Sequence, residues 1–171
     1  MTWAYGALAV VVAATTAAWL VLGAVRRTAL RQQAGLPPPA CPDTAGAPVL
    51  RAGARYLGTT YAPSPVRRFS GHGLLGRGVV ELAADRLGLR VAPGPAAPWC
   101  VPAADLRGAM VTSGHAGKMV YAKRVLVVDW RLGGTVLRSG FVLADEATAR
   151  RWAAWLAALA DGRRDQEEAK R

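Results

Sequence analysis

The order of apolar and polar positions divides the chain into an uncharged beginning, a proline-rich segment, and a remainder patterned like strands. Residues 3–25 contain no Lys, Arg, Asp or Glu. As a helix rising about 1.5 Å per residue they would span about 34 Å, slightly more than the hydrocarbon core of a bilayer. Trp3 and Trp19 lie near the two ends, where aromatic side chains settle at membrane interfaces. The pattern predicts a transmembrane helix with a basic flank over residues 1–27.

The charges beside this segment predict its orientation. Arg26, Arg27 and Arg31 follow it, whereas only the α-amino group precedes it. Because positively charged flanks stay in the cytoplasm, we expect a single-pass protein of the cell (inner) membrane with a cytoplasmic C-terminal domain. In that reducing compartment Cys41 and Cys100 are predicted to be free thiols. A cleaved signal peptide is disfavoured, because its cations would precede the apolar segment.

Residues 28–49 form a linker with five prolines, at positions 37, 38, 39, 42 and 48. Proline prevents helix continuation and favours an extended chain. At about 3.1 Å per residue, the seventeen residues 32–48 could reach about 50 Å. The composition therefore predicts an extended tether between the helix and the domain.

From residue 50 the apolar positions alternate with polar ones, which is typical of strands. Paired glycines at 133–134 supply the positive φ angles of a tight hairpin turn, and a second turn is expected at 85–86. Across the glycine hairpin, Asp129 either faces solvent opposite a cation or pairs with Arg138. We expect six or seven antiparallel strands. The predicted strands include residues 54–61, 78–83, 88–92, 106–111, 123–130 and 135–143.

The period of a helix returns only after Asp145, whose side chain is suited to cap a helix N-terminus. Four large apolar residues then share one helical face. They are Trp152, Trp155, Leu156 and Leu159. Gly162 is expected to end the helix and to leave residues 162–171 as a charged tail. The sequence thus indicates a mainly-β domain over residues 50–161, a small barrel with one open end capped by the terminal helix.

Several short motifs, together with the N-terminal segment and the linker, resemble the actinobacterial single-span membrane proteins that carry a PH-like domain. The motifs are Gly58-Thr59-Thr60, residues 71–77 (GHGLLGR), residues 101–109 (VPAADLRGA), Ala116-Gly117-Lys118 and Ser139-Gly140-Phe141. The resemblance implies a pleckstrin-homology-like barrel with a C-terminal α-helix, in agreement with the order of strands and helix. It implies no particular activity, because a fold does not determine a function.

A metal site was considered for His72, His115, Cys41 and Cys100. These four residues are separated by 31, 28 and 15 positions, whereas zinc ligands usually come in close pairs. The histidines are interpreted as loop residues, and we expect no metal and no cofactor.

Residues 113–118 are similar to a phosphate-binding loop, but Thr112 and Met119 stand where that motif requires Gly and Ser or Thr. Either the backbone N–H groups and Lys118 bind an anion, or the glycines only permit a turn. The serines form no nucleophile elbow and the acids show no pairing pattern. We therefore predict no catalytic residues and no enzyme.

Charge gives the remaining functional indication. The chain carries 22 Lys and Arg against 11 Asp and Glu, and between Asp43 and Ala144 there are thirteen against five. Five cations fall in or beside strand connections and are candidates for an anion- or lipid-binding surface. They are Arg67, Arg68, Lys118, Lys123 and Arg124. The alternative is a basic surface without a specific ligand. Nucleic acid is disfavoured, because few aromatics lie among the cations and a membrane tether restricts access.

These observations predict a membrane-anchored, non-enzymatic PH-like binding or scaffolding module that recruits a protein partner and contacts anionic lipid. The alternative is an accessory subunit of a membrane transport system, in which small residues such as Gly6, Ala13 and Ala17 allow the helix to pack closely. An enzyme is the least favoured class.

Overall fold

The computed structural model describes residues 2–33, 36, 39, 41, 47–62, 64 and 66–168, and within them the side chains from Val11 to Gln32 and up to Arg163. Two α-helices and nine strands form in this part of the chain. In order they are α1 Thr2–Gln33, β1 Leu50–Tyr61, β2 Gly78–Asp85, β3 Gly88–Ala92, β4 Trp99–Pro102, β5 Leu106–Thr112, β6 Gly114–His115, β7 Lys118–Met119, β8 Val125–Leu132, β9 Thr135–Val142 and α2 Glu146–Glu168.

Helix α1 extends to Gln33, into the segment predicted as linker. Its apolar side chains from Val11 onward are largely exposed, including Trp19, which is 74% exposed. Among the residues that the structure describes, no helix is sufficiently long and apolar to cross a membrane. The predicted transmembrane helix over residues 3–25 is therefore not supported. The side chains of its first residues, Trp3 among them, lie outside the described part.

Seven strands form one antiparallel sheet in the order β4-β3-β2-β1-β9-β8-β5, while β6 and β7 pair separately as a short hairpin. Strand β1 joins the two halves of the sheet, because its first half pairs with β2 and its second half with β9. The register along β9 shifts between Tyr56 and Gly58, the irregularity expected where a long strand bends. The mainly-β fold with a terminal helix is confirmed.

The period-two pattern located most strands correctly. Strand β3 has the predicted bounds, and the turn at Gly133, with φ 56°, joins β8 to β9. Asp129 and Arg138 face each other in this pair and form a two-pronged ion pair, with N···O distances of 2.6 and 2.7 Å. Strand β4 and the β6–β7 hairpin were not predicted, since all three strands have at most four residues.

Helix α2 covers β5 and β8. Asp145 caps it as predicted, accepting a hydrogen bond of 2.7 Å from the Thr148 backbone N–H. Trp152 and Leu156 are fully buried, but Trp155 and Leu159 are only partly buried. The buried stripe is completed instead by alanines, at positions 149, 153 and 160.

The expectation that Gly162 ends α2 is wrong, because the helix continues to Glu168. A glycine inside a helix costs about 1 kcal/mol relative to alanine, which the surrounding helix can tolerate.

A buried chain of hydroxyl groups connects β1, β9 and β8 within the core. The Tyr56 hydroxyl lies 2.5 Å from the Thr59 hydroxyl, which lies 2.6 Å from that of Ser139, and Trp130 donates its indole N–H to Ser139 at 3.0 Å. Tyr56 also donates to the Leu74 carbonyl at 2.8 Å. Burial raises the pKa of Tyr56, so that its hydroxyl stays protonated and available as a donor.

The linker is fastened to the domain at its described residues. The Gln32 side chain accepts a hydrogen bond from the Ser70 hydroxyl at 2.6 Å, and Leu36 packs against the main core. The carbonyl of Pro39 accepts the Cys100 backbone N–H at 3.3 Å. Cys41 forms a disulfide with Cys100 on β4.

The prediction of two free thiols is therefore wrong. The sequence places the two cysteines 59 positions apart, and their pairing depends on β4 lying at the edge of the sheet where the linker passes.

Candidate functional site

The β6–β7 hairpin packs on the face of the sheet opposite the main core. A second apolar cluster lies beneath it, formed by Leu57, Val125 and Val127 with the partly buried Val120 and Val142. The cluster extends from Val120, in the loop after the hairpin, to Val142 at the end of β9. The hairpin thus has a small core of its own, which holds it against the sheet.

His115, on β6 of the hairpin, packs against two glycines of the sheet, Gly58 on β1 and Gly140 on β9. Its Nε2 atom lies 3.2 Å from the Gly58 carbonyl oxygen, and a Cβ added to Gly140 would come within 2.4 Å of the imidazole ring. Burial lowers the pKa of His115, so its neutral form is favoured at neutral pH. Together these contacts make His115 a packing residue and explain why position 140 is glycine, whereas Gly58 is required by its φ angle of 113°.

Arg68 ties the hairpin to the rest of the domain. Its guanidinium donates to the Ala116 carbonyl at 2.7 Å and to the Leu57 carbonyl at 3.4 Å. Its own carbonyl accepts a hydrogen bond of 3.3 Å from the Gln32 side chain at the end of α1. The end of α1 and the tip of the hairpin are therefore separated by one arginine.

The segment that is similar to a phosphate loop is the turn of this hairpin. Ala116 and Gly117 have φ angles of 53° and 74°, as a two-residue hairpin turn requires. This geometry accounts for Gly117 as a turn residue, and Lys118 follows directly after the turn.

We use the name hairpin surface for the β6–β7 hairpin, the loop 120–124 that follows it, and Arg68. Lys118 lies half-buried on β7, and Lys123 is exposed in the loop. Arg124 closes the loop and donates to the Ala144 carbonyl at 3.1 Å. Four of the five candidate cations thus belong to the hairpin surface.

Arg67 lies apart from Arg124. Its guanidinium is 4.6 Å from the centre of the Tyr61 ring, and Tyr61 pairs with Leu137 near the start of β9. Arg124 instead bonds to Leu143, just beyond the end of β9. Six strand residues correspond to about 20 Å. Arg67 and Arg124 therefore lie near opposite ends of β9, and the structure does not gather the five cations around one point.

Two large apolar side chains on the hairpin surface were missed by sequence reasoning. Tyr121 is 99% exposed and Met119 is 80% exposed, whereas Val120 between them turns inward. The signal was available, because Met119 and Tyr121 alternate with Val120 between two lysines. That stretch lies between the predicted strands 106–111 and 123–130.

The electrostatics of the hairpin surface are one-sided. No Asp or Glu occurs in residues 44–80 or 106–128, the two segments that build it. The next acid along β8, Asp129, is engaged by Arg138. Along these two segments the cations are therefore not interrupted by acids, although Arg124 donates to Ala144 directly before Asp145.

Other parts of the molecule offer less. In the described ranges, no group of three or more His, Cys, Asp or Glu could hold a metal ion, and both cysteines are committed to the disulfide. A cleft of about 330 Å³ lies beside that disulfide and contains none of the five candidate cations in its lining.

A single antiparallel sheet, bent through one long strand and covered along β5 and β8 by a long C-terminal helix, defines a PH-like domain. Comparison with family models agrees: the model described as bacterial PH domain-like matches residues 33–157. The chain belongs to this family. The match includes the proline-rich linker that the disulfide fastens.

Among solved structures, the chain is similar to inner membrane complex sub-compartment protein 3 from Toxoplasma gondii. The two are 11% identical with a TM-score of 0.40, over 66% of this chain and 77% of that chain. A comparison with curated proteins found no match.

Proposed function

We propose that this protein is a non-enzymatic binding module that contacts an anionic surface, such as lipid headgroups, through its hairpin surface and recruits a protein partner. One observation carries the proposal: two acid-free segments meet where Arg68 reaches the Ala116 carbonyl, and they place the half-buried Lys118 and the exposed Lys123 beside the end of α1. Each cation near an anionic membrane surface contributes about 1 kcal/mol of attraction, reduced by salt.

The non-enzymatic part of the proposal is supported by how the hydroxyl groups are used. Ser139 is fully buried and bonded to Thr59 and Trp130. Ser70 donates to the Gln32 side chain. Both hydroxyl groups are bonded to structural partners, and in the described part of the chain those partners are Thr59, Trp130 and Gln32.

Helix α1 supplies the membrane attachment in this proposal. From Thr2 to Val25 it has no charged residue, and Leu20, Val21 and Leu22 are more than half exposed. Lipid or a membrane partner would cover these side chains.

The side of the membrane is a further part of the proposal. Arg26, Arg27 and Arg31 favour the cytoplasm, whereas the Cys41–Cys100 disulfide favours an oxidising compartment. We give the disulfide more weight, because it determines the path of the linker, and propose that the domain lies on the oxidising side. A C-terminal alkaline phosphatase fusion should then be active, and an inactive, full-length fusion would restore the cytoplasmic placement.

Vesicle flotation of the full chain tests the binding proposal. We expect stronger association with vesicles containing phosphatidylglycerol than with neutral vesicles, and release of that excess as salt rises. Replacing Lys118 and Lys123 with Gln should weaken association with anionic vesicles about 30-fold at low salt, from about 1 kcal/mol per lysine.

The matched control removes two charges elsewhere. Arg86 and Arg90 are exposed at the β2–β3 end of the sheet, and replacing both with Gln should weaken association far less. Equal effects of the two double variants would show that only net charge matters. Equal binding of the unaltered chain to anionic and neutral vesicles would overturn the proposal.

The exposed apolar face of α1 also favours a second candidate, an accessory subunit of a membrane transport system. In that case α1 would be covered by other membrane helices. The detergent-extracted protein would then sediment with a stoichiometric transporter, whereas the binding module would be extracted without one.

A further inference from the structure

The exposed side chains Met119 and Tyr121 lie between the two lysines of the hairpin surface. Tyr121 is 99% exposed and Met119 is 80% exposed. Leaving both side chains in water forgoes the stabilisation that burial of apolar surface would give. Their backbone is held in place, because the Val120 N–H donates to the Ser113 carbonyl at 2.7 Å.

The surroundings of this pair distinguish lipid from protein as the occupant. Tyrosine is enriched at the membrane–water interface, where its ring lies among acyl chains and its hydroxyl among headgroups. Lysines beside it extend their aliphatic stems over the apolar region and keep the ammonium groups at the headgroups. Lys118, Met119, Tyr121 and Lys123 follow this arrangement, and no acid in residues 106–128 would oppose an anionic headgroup.

The position of the hairpin places it near the attachment helix. The Gln32 side chain at the end of α1 donates to the Arg68 carbonyl at 3.3 Å, and the Arg68 guanidinium donates to Ala116 at the hairpin tip at 2.7 Å. The end of α1 that follows its uncharged segment is thus one arginine side chain away from the hairpin tip.

We propose that the tip of the hairpin surface is a second membrane contact, in which Met119 and Tyr121 enter the interfacial region of an anionic bilayer while Lys118 and Lys123 bind its headgroups. This inference rests on the proposed function and specifies which side chains meet the lipid. The hairpin fixes the rotation of the domain about α1, because two points of contact define an orientation that one helix cannot.

The test uses the full chain with a single added cysteine, labelled with an environment-sensitive fluorophore under conditions that keep the Cys41–Cys100 disulfide closed. Tyr121→Cys reports on the hairpin tip. Val136→Cys is the matched control, since Val136 is 40% exposed and lies at the opposite end of β9. On vesicles with phosphatidylglycerol, the label at 121 should shift to shorter wavelength and be quenched by lipids carrying a nitroxide in the acyl chain.

Each outcome separates this inference from the proposed function. If the protein floats with anionic vesicles but the label at 121 remains in water like the label at 136, the inference is overturned and the binding proposal stands. If flotation shows no preference for anionic lipid, the binding proposal itself fails. A label at 121 that changes only when a second protein is added would assign the tip to a protein partner and also overturn the inference.

An unlabelled variant gives an independent measurement. Replacing both Met119 and Tyr121 with Ser should weaken association with anionic vesicles at least tenfold, because the apolar burial is lost while every charge is kept. Val136→Ser should leave association unchanged. Circular dichroism of the double variant checks that the fold is retained, and equal association of all three proteins would contradict the inference.

Discussion

Opening the Cys41–Cys100 disulfide should destabilise the protein strongly, because the bond closes a loop with a sequence separation of 59. In the chain-entropy description, closing about 60 residues removes enough unfolded-state entropy to stabilise the fold by about 4 kcal/mol. The loop contains β1, β2 and β3, so the constraint acts on half of the sheet. We predict a loss of about 4 kcal/mol for the variant with both cysteines replaced by Ser.

The assay is thermal unfolding of the full chain in detergent, followed by near-ultraviolet circular dichroism of the buried tryptophans. For a chain of this length 1 kcal/mol corresponds to a shift of about 2–4 °C, so the midpoint should fall by about 8–16 °C. Cys41→Ser alone should behave like the double variant, since either substitution opens the bond.

A reductant provides the control. It should lower the midpoint of the unaltered protein and leave that of the double variant where it is. Identical midpoints for the unaltered protein, with and without reductant, and for the double variant would refute the reasoning. The contacts of Gln32, Leu36 and Pro39 would then be sufficient to hold the linker.

Three further predictions concern the interior. Trp152→Ala should cost about 3–5 kcal/mol in denaturant unfolding, and Trp155→Ala clearly less, because only Trp152 is fully buried. Ser139→Ala should cost about 1–3 kcal/mol by leaving the Trp130 indole N–H without its acceptor, whereas a neutral result would show that the hydroxyl chain contributes little. The unfolding free energy should decrease as pH falls below about 6.5, since His115 has a lowered pKa in the fold and the unfolded chain binds its proton first; His115→Gln should flatten this dependence.

Sequence pattern identified the elements that alternate cleanly and end in glycine turns. Strand β3 begins at Gly88 after a short turn, and the paired glycines before Thr135 fix the β8–β9 hairpin. Strand β4 escaped prediction because prolines flank it and its pairing partner is set by the sheet. The predicted buried face of α2 included Trp155 and omitted Ala153. The prediction followed the large apolar residues, whereas small ones such as Ala153 face the core.

The candidate site was likewise predicted from the sequence only in part. Choosing cations near strand connections located Lys118 and Lys123, because hairpin loops expose their lysines. The sequence could not show that the Arg68 guanidinium is hydrogen-bonded to backbone carbonyls, since this depends on the long β1 bringing residue 68 against the hairpin. The disulfide depends in the same way on two segments that meet only in the folded chain.

The hydrogen bonds between Gln32 and the Arg68–Ser70 segment couple the end of α1 to the domain. The Gln32 amide donates to one backbone carbonyl, and its oxygen accepts from the Ser70 hydroxyl, so the last turn of the helix cannot swivel without moving the domain. A partner that rotates or tilts α1 would therefore also move the sheet, and Arg68 would transmit this movement to the hairpin. A movement of α1 would then change which face of the domain is presented to a partner.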